Sequence, residues 1–234
     1  MATSTARSAP PRSLVPPKSS TNSDEVYKFK RKKNYDTYKT FIQKLMQQEH
    51  PGGIGGGALD VVDSYVKLAH DRLIHNADLI LRHSKKKTMS EREIFSAVLL
   101  AFQDDDFSMQ ANTAGHQAVT NYSSSSSGDA DEGRSSKSSK AGLIFPISRV
   151  KERIKNVSSV EGLRVGEKTS IFLTGVLEFL TRSLVREAGL VADQHKHKRI
   201  TPRDIKLAVF NNKSLQEITK GAFIPGGVPV DARK

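Results

Sequence analysis

The sequence predicts an all-α protein made of two similar units, each a long helix between two shorter ones. Three observations predict it. Two stretches roughly 110 residues apart carry apolar residues at helical spacing, each long enough for a helix of about 40 Å. Each is followed by a basic loop and a capped short helix, and these closing segments align at a constant offset of 111: Thr88–Val98 against Arg199–Val209. Few alternating runs read as strands, and aromatic residues are only 6% of the chain.

In chain order, residues 1–34 form a first segment. Residues 1–27 are rich in Ser, Thr and Pro without periodicity and read as disordered. Lys28–Lys33 (KFKRKK) is a basic run suited to nuclear import, to a DNA-contacting arm, or to both. Tyr35–Gln48 is a short helix with Tyr38, Phe41, Ile42, Leu45 and Met46 on one side, stopped by His50-Pro51-Gly52-Gly53. After a glycine-rich loop, Gly57–His83 forms the first long helix. Its face is set by Leu59, Val62, Val66, Ala69, Leu73, Ala77 and Ile80. Lys85–Thr88 is a basic loop. Ser90-Glu91-Arg92-Glu93 is a capping box that opens the next helix. Asp104-Asp105-Asp106 suits the positive end of a further helix running to about Tyr122. Residues 123–140, SSSSSGDADEGRSSKSSK, read as a linker.

The second half repeats the order within 141–212. A short helix spans about Pro146–Asn156, a long one Glu167–Gln194, and a basic loop His195–Arg199 follows. Thr201-Pro202-Arg203-Asp204 places an N-cap, a first-turn proline and an acid at the third position. Residues 213–234 form a closing segment. Neither unit can bury its apolar face alone, so the two long helices are expected to cross.

Charge narrows the function. The net charge is +12: residues 1–34 carry +6, 35–122 carry −2, 123–140 balance, and 141–234 carry +8. A basic tail and a basic second half point to a polyanion, most simply nucleic acid; the alternative is that the lysines only aid solubility. There is no cysteine, so disulfides and thiolate metal sites are excluded. No run reads as a signal sequence or a membrane span. The seven histidines form no metal-binding pattern and read as surface or DNA-facing residues. The acid pairs Asp60/Asp63 and Asp71/Asp78 read as solvated helix faces. No nucleophile has a supporting base, so no enzyme and no cofactor are expected.

The order short helix, loop, long helix, basic loop, capped helix resembles the histone fold. The motifs go further. Ala141–Val150 (AGLIFPISRV), Val176–Thr181 (VLEFLT), Arg199–Arg203 (RITPR) and Gly226-Gly227-Val228 resemble histone 2A in order. Tyr35–Tyr38, His50-Pro51, Gly53-Ile54, Ser90–Ile94 and Ala118–Ser123 resemble histone 2B. The resemblance implies two histone folds in an intramolecular handshake, 2B fused to 2A, as in doublets of giant viruses of amoebae. A viral origin would place the protein in the virion, a viral factory or host chromatin. It also implies partners: double-stranded DNA, histone 3/histone 4-like proteins (separate or themselves fused), and a second copy of the chain in an octamer-like particle.

By resemblance, DNA contacts fall on Lys30, Arg31, Lys32, Lys33 and Tyr35; on Ile54, Gly55 and Gly56; on Lys85, Lys86, Lys87 and Thr88; on Arg149, Arg153 and Lys155; on Arg164 and Val165; and on Lys198 and Arg199. Arg199 and Arg164 match minor-groove arginines, contacts of which the histone octamer is the standard case. Lys86 stands where histone 2B has arginine, and its compact, strongly hydrated charge should grip the groove less well. Gly57 replaces a lysine; the glycine loop either offers N–H groups at a helix start or is a plain connector. Leu73, Ile80 and Arg92 are expected to dock histone 4, and Phe223, Gly226, Gly227 and Val228 the 3/4 unit. The family's acidic patch is expected to be largely absent. Glu178 and Asp106 remain, but Ala114, Ser183, Arg186, Asn212, Lys213 and Ser214 fill other positions of the patch. Two rival readings share the fold: a sequence-specific transcription-factor pair and a structural virion protein or chaperone.

Overall fold

The computed structural model describes residues 37–125 and 136–220. The elements are α1 (Lys39–Glu49), α2 (Gly56–His83), β1 (Thr88–Met89), α3 (Glu91–Ala101), α4 (Asp105–Ser125), α5 (Lys137–Lys140), α6 (Ile147–Val157), β2 (Arg164–Val165), α7 (Glu167–Gln194), α8 (Pro202–Asn211) and α9 (Lys213–Thr219). Lys30, Arg31, Lys32, Lys33, Tyr35, Phe223, Gly226, Gly227 and Val228 lie outside the described residues.

The repeat is strict. The long helices run 56–83 and 167–194 and the next helices start at 91 and 202, an offset of 111. The first helices start at 39 and 147, an offset of 108. The second unit therefore spends three more residues between its short and long helices. Both long helices end alike. Lys85 and Lys196 take φ of 54° and 57°, and the N–H groups of Lys86 and His197 donate back to the carbonyls of Leu81 and Ala192 at 3.1 and 2.8 Å. This wraps the free carbonyls of the last turn. The capping boxes of α3 and α8 are both formed.

The helices close over one core. α2 and α7 cross, and α3 and α8 each pack on both of them. Tyr38, Tyr65, Phe145 and Phe172 are the largest fully buried side chains. Each large apolar side chain so buried contributes roughly 1.5–3 kcal/mol of transfer free energy. α4 lies along α7, so the first unit's last helix covers the second unit's long one.

Four features differ from expectation. α1 starts at Lys39 rather than Tyr35: Tyr38 is its N-cap residue, held there by its N–H donating to Asp63 Oδ1 at 2.6 Å. The Ser-rich linker is helical at both margins, in the last turn of α4 and in α5, where Ser125 Oγ donates to the Lys140 carbonyl at 2.9 Å. Two short parallel strands pair Thr88 with Arg164 and Met89 with Val165. The helix α9 was not anticipated. Asn212 caps it by accepting the Leu215 N–H at 3.2 Å, and Leu215 and Ile218 are fully buried.

Candidate nucleic-acid interface

The crossing of α2 and α7 brings each basic loop against the first loop of the other unit. At one end the Ile200 N–H donates to the Gly53 carbonyl at 3.1 Å, and the Gly55 N–H to the Ile200 carbonyl at 3.0 Å. Backbone approach there is so close that a Cβ on Gly52 would lie 2.0 Å from the Lys198 carbonyl oxygen. This glycine junction exposes Lys196, His197, Lys198 and Arg199. A cleft of about 660 Å³ runs between them and His50-Pro51-Gly52.

At the other end the Arg164 N–H donates to the Lys87 carbonyl at 2.8 Å, and the Gly166 N–H to the Met89 carbonyl at 3.1 Å. Thr169 Oγ1 adds a bond to the same Met89 oxygen at 3.0 Å. This strand junction exposes Lys85, Lys86, Lys87, Thr88 and Arg164. Both ends thus carry a cluster of exposed cations, which suits a phosphate backbone.

The helix starts differ. The first turn of α2 holds no acid, and Gly56 and Gly57 are exposed, so its N–H groups are open to an anion. The first turn of α7 holds Glu167, which accepts from Tyr122 at 3.0 Å and pairs with Lys137. Those two hydrogen bonds, from Lys137 and then Tyr122, hold the Glu167 carboxyl below its usual range.

The following helices treat the loop cations alike. Lys86 Nζ lies 3.5 Å from Glu93, and the equivalent His197 lies 3.2 Å from Asp204. Burial pushes the Glu93 and Asp204 carboxyls up. Hydrogen bonds from Ser90 and Thr201 outweigh it, with help from Lys86 and His197, and hold both below the usual carboxylate range.

A third cationic region lies where the two first helices meet. Tyr38 stacks on Phe145 at 5.5 Å, and the Arg149 guanidinium sits 5.0 Å from the centre of the Phe41 ring. Arg149 Nη1 also donates to the Thr37 carbonyl at 2.5 Å. Lys155 is exposed.

Several expected roles are corrected. Arg153, expected to contact phosphate, is engaged by a carboxylate within the protein. Its Nε and Nη2 grip both Asp71 oxygens at 2.8 and 2.7 Å, and the side chain is 17% exposed. Leu73 is fully buried and cannot meet a partner; Leu79, Leu99 and Leu100 are the exposed leucines of that region, with Ile80 half-buried and Arg92 exposed. His70 is fully buried rather than on the surface, its Nε2 3.3 Å from the Val150 carbonyl and its Nδ1 3.5 Å from Asp71. Asp63 and Asp78 are buried, not solvated. Sequence reasoning also missed Arg82, which reaches the loop before Arg164.

On the outer face of α7 only part of an acidic surface survives. Glu178 is buried and accepts the N–H groups of Ile144 and Phe145 at 2.8 and 3.3 Å. Its other oxygen takes Arg182 at 3.0 Å. Arg182 and Arg186 both pair with Glu49 at 2.6 Å. Asp106 is exposed. Among the described residues no cluster of His, Asp or Glu is placed to hold a metal ion, and no helix is long and apolar enough to cross a membrane.

Paired helix–loop–helix–loop–helix units crossed at their long helices define an all-α histone-fold protein. The family model described as the core histone H2A/H2B/H3/H4 domain matches residues 124–210. Histone H2A.Z of Meyerozyma guilliermondii is 41% identical over 102 residues, which cover 44% of this chain and 76% of that protein. Histone H2A.Z of Saccharomyces cerevisiae is 41% identical over 93 residues, 40% of this chain and 69% of that protein. The crystal structure of the histone from Methanopyrus kandleri covers 75% of this chain and 94% of its own at 16% identity and a TM-score of 0.48. The chain belongs to the core histone family.

Proposed function

We propose that the chain is a core histone doublet that wraps double-stranded DNA without reading its sequence. Residues 35–122 act as a histone 2B-like unit and 141–212 as a histone 2A-like unit. Residues 1–34 are the basic tail, 123–140 the tether, and 213–234 the docking segment. The observation that carries the reading is the pairing of loops at both ends of the crossed helices. It gathers Lys85–Thr88 with Arg164 at one end, and Lys196–Arg199 with the open α2 start at the other. The role is structural rather than catalytic.

The tether turns pairing of the two units into an intramolecular event with an effective concentration of order millimolar. The face bearing Leu79, Leu99 and Leu100 serves a histone 3/histone 4-like partner. A second copy completes an octamer-like particle. The protein works in chromatin, and the fused order fits a viral genome-packaging role.

The test mixes the full chain with histone 3/4 counterparts and double-stranded DNA, then digests with nuclease. A discrete protected length is expected. Neutralising about six phosphates gives a log–log salt slope near −5. A flat salt response, or binding that random DNA fails to displace, overturns the proposal.

A further inference from the structure

The second unit's first loop, three residues longer than its counterpart, is gripped at its start by the first unit. Asp78 lies on α2, 3% exposed. Its Oδ1 accepts the Ser158 hydroxyl at 2.8 Å, and its Oδ2 accepts the Ser159 N–H at 2.8 Å and the Ser159 hydroxyl at 3.0 Å. One turn further along α2, Arg82 Nη2 donates to Ser159 Oγ at 2.7 Å. Beyond this clamp the chain makes one turn. The Val160 N–H bonds Ser158 Oγ at 3.3 Å, the Leu163 N–H bonds the Val160 carbonyl at 3.3 Å, and Gly162 takes φ of 70°. Arg164 then enters the strand pair through its N–H. The loop is thus fixed at both ends by α2 and the segment that follows it.

The other junction has no carboxylate at the position of Asp78. The offset of 111 places Gly189 at the position of Asp78 and Asp193 at that of Arg82. There the His50 ring fills the space. A Cβ on Gly189 would lie 3.0 Å from His50 Cδ2, and His50 Nε2 lies 3.5 Å from Asp193. A shorter loop needs one ring as a spacer, whereas the longer one needs a polar grip.

We infer that Asp78 is a positioning residue for Arg164: by holding Ser158 and Ser159 it sets where that arginine meets DNA. The inference rests on the DNA-wrapping reading. It has a distinctive sign. Asp78→Ala removes a negative charge beside a basic loop, which by Coulomb attraction alone would tighten DNA binding. Loosening can come only through the displaced loop.

The experiment uses the full chain assembled with histone 3/4 counterparts on DNA, with binding measured against salt and contacts mapped by hydroxyl-radical footprinting. Circular dichroism melts ensure that each variant is measured folded. Arg164→Ala is expected to lower the salt slope by about 1 per copy of the chain and to lose protection at one contact point in each copy. Asp78→Ala should weaken binding and lose the same protected point, and Asp78→Asn, which keeps an acceptor for the Ser159 N–H, should restore most of it. The double variant Asp78→Ala/Arg164→Ala should bind no worse than Arg164→Ala alone, the signature of a shared pathway. Should Asp78→Ala not fold, Ser159→Ala serves in its place. If Arg164→Ala has its effect while Asp78→Ala leaves slope and footprint unchanged or tightens binding, the positioning role is wrong and the DNA reading stands. If Arg164→Ala itself changes nothing, the DNA reading of this junction fails and takes the inference with it.

Discussion

The two long helices are equal in length and register, yet they satisfy their buried polar groups in opposite ways. Along α7 most buried hydroxyls turn back on their own helix, Thr169, which bonds the Met89 carbonyl of the other unit, being the exception. Thr174 Oγ1 donates to the Ser170 carbonyl at 2.6 Å and Thr181 Oγ1 to the Leu177 carbonyl at 2.7 Å. Along α2 the polar groups reach into the other unit. Tyr65 donates to the Leu215 carbonyl, Arg72 to the Ile218 carbonyl, His70 meets Val150, Asp71 holds Arg153, and Asp78 holds Ser158 and Ser159. The buried hydroxyls of α7 mostly serve their own helix and the polar groups of α2 do more to set register, although Thr169, Arg182 and Arg186 of α7 also reach the first unit. Apolar burial would tolerate many rotations of one unit on the other, but buried polar groups tolerate only those that pair them.

The largest expected effect follows from that contrast. Asp78→Ala leaves the Ser159 N–H without its acceptor and should cost about 1–3 kcal/mol in chemical unfolding. Thr181→Val removes only a hydroxyl bonded within its own helix and should cost less than about 1 kcal/mol. Equal losses would show that α2 has no special role.

Acid should expose the same asymmetry. Burial holds the His70 imidazole below its ordinary value of 6.5, against the opposing pull of Asp71, while Arg153 adds to the depression. His70 is therefore neutral when folded and gains a proton on unfolding, so the unfolded state binds more protons. Stability is then full above about 6.5 and falls as the pH drops below it, by up to about 1.4 kcal/mol per pH unit. His70→Leu should flatten that limb in urea melts at stepped pH. The equivalent residue of α7, Thr181, has no charge to gain. A slope that survives His70→Leu would place the acid sensitivity elsewhere.

The smallest effect tests where the units are alike. Ser90→Ala and Thr201→Ala each remove one capping box and should cost about 1 kcal/mol apiece. Glu93 and Asp204 have depressed carboxyls, so their contributions are present at neutral pH and fade as the pH falls through the carboxylate range. A large difference between the two variants would mean that the units are less equivalent than their caps.

Much of the fold was legible because its signals are local. Helical spacing, the capping boxes and the constant offset need no knowledge of neighbours, and they placed α2, α3, α7 and α8 to within a residue or two. The basic loops were legible for the same reason. What failed was the reading of individual side chains whose partners lie far along the chain; the crossing of the long helices was legible because neither unit can bury its apolar face alone. Arg153 read as a phosphate ligand because Asp71, 82 residues away, is not visible as its mate. Asp63 and Asp78 read as solvated because a carboxylate on a long helix is usually exposed, and Leu73 read as a docking residue because apolar spacing does not say which partner covers it. The helix α9 left a faint signal, Asn212 before Leu215 and Ile218, too short to stand out.

By itself the sequence determined the two units, their helix ends, their shared offset and the cationic loops, since each depends on interactions within a few turns of chain. Only the tertiary structure decided which cations remain available and which side chains hold each loop in place. Those outcomes depend on charges and hydrogen-bond donors that meet across 80 or more residues, where a carboxylate without its partner would be a costly buried charge.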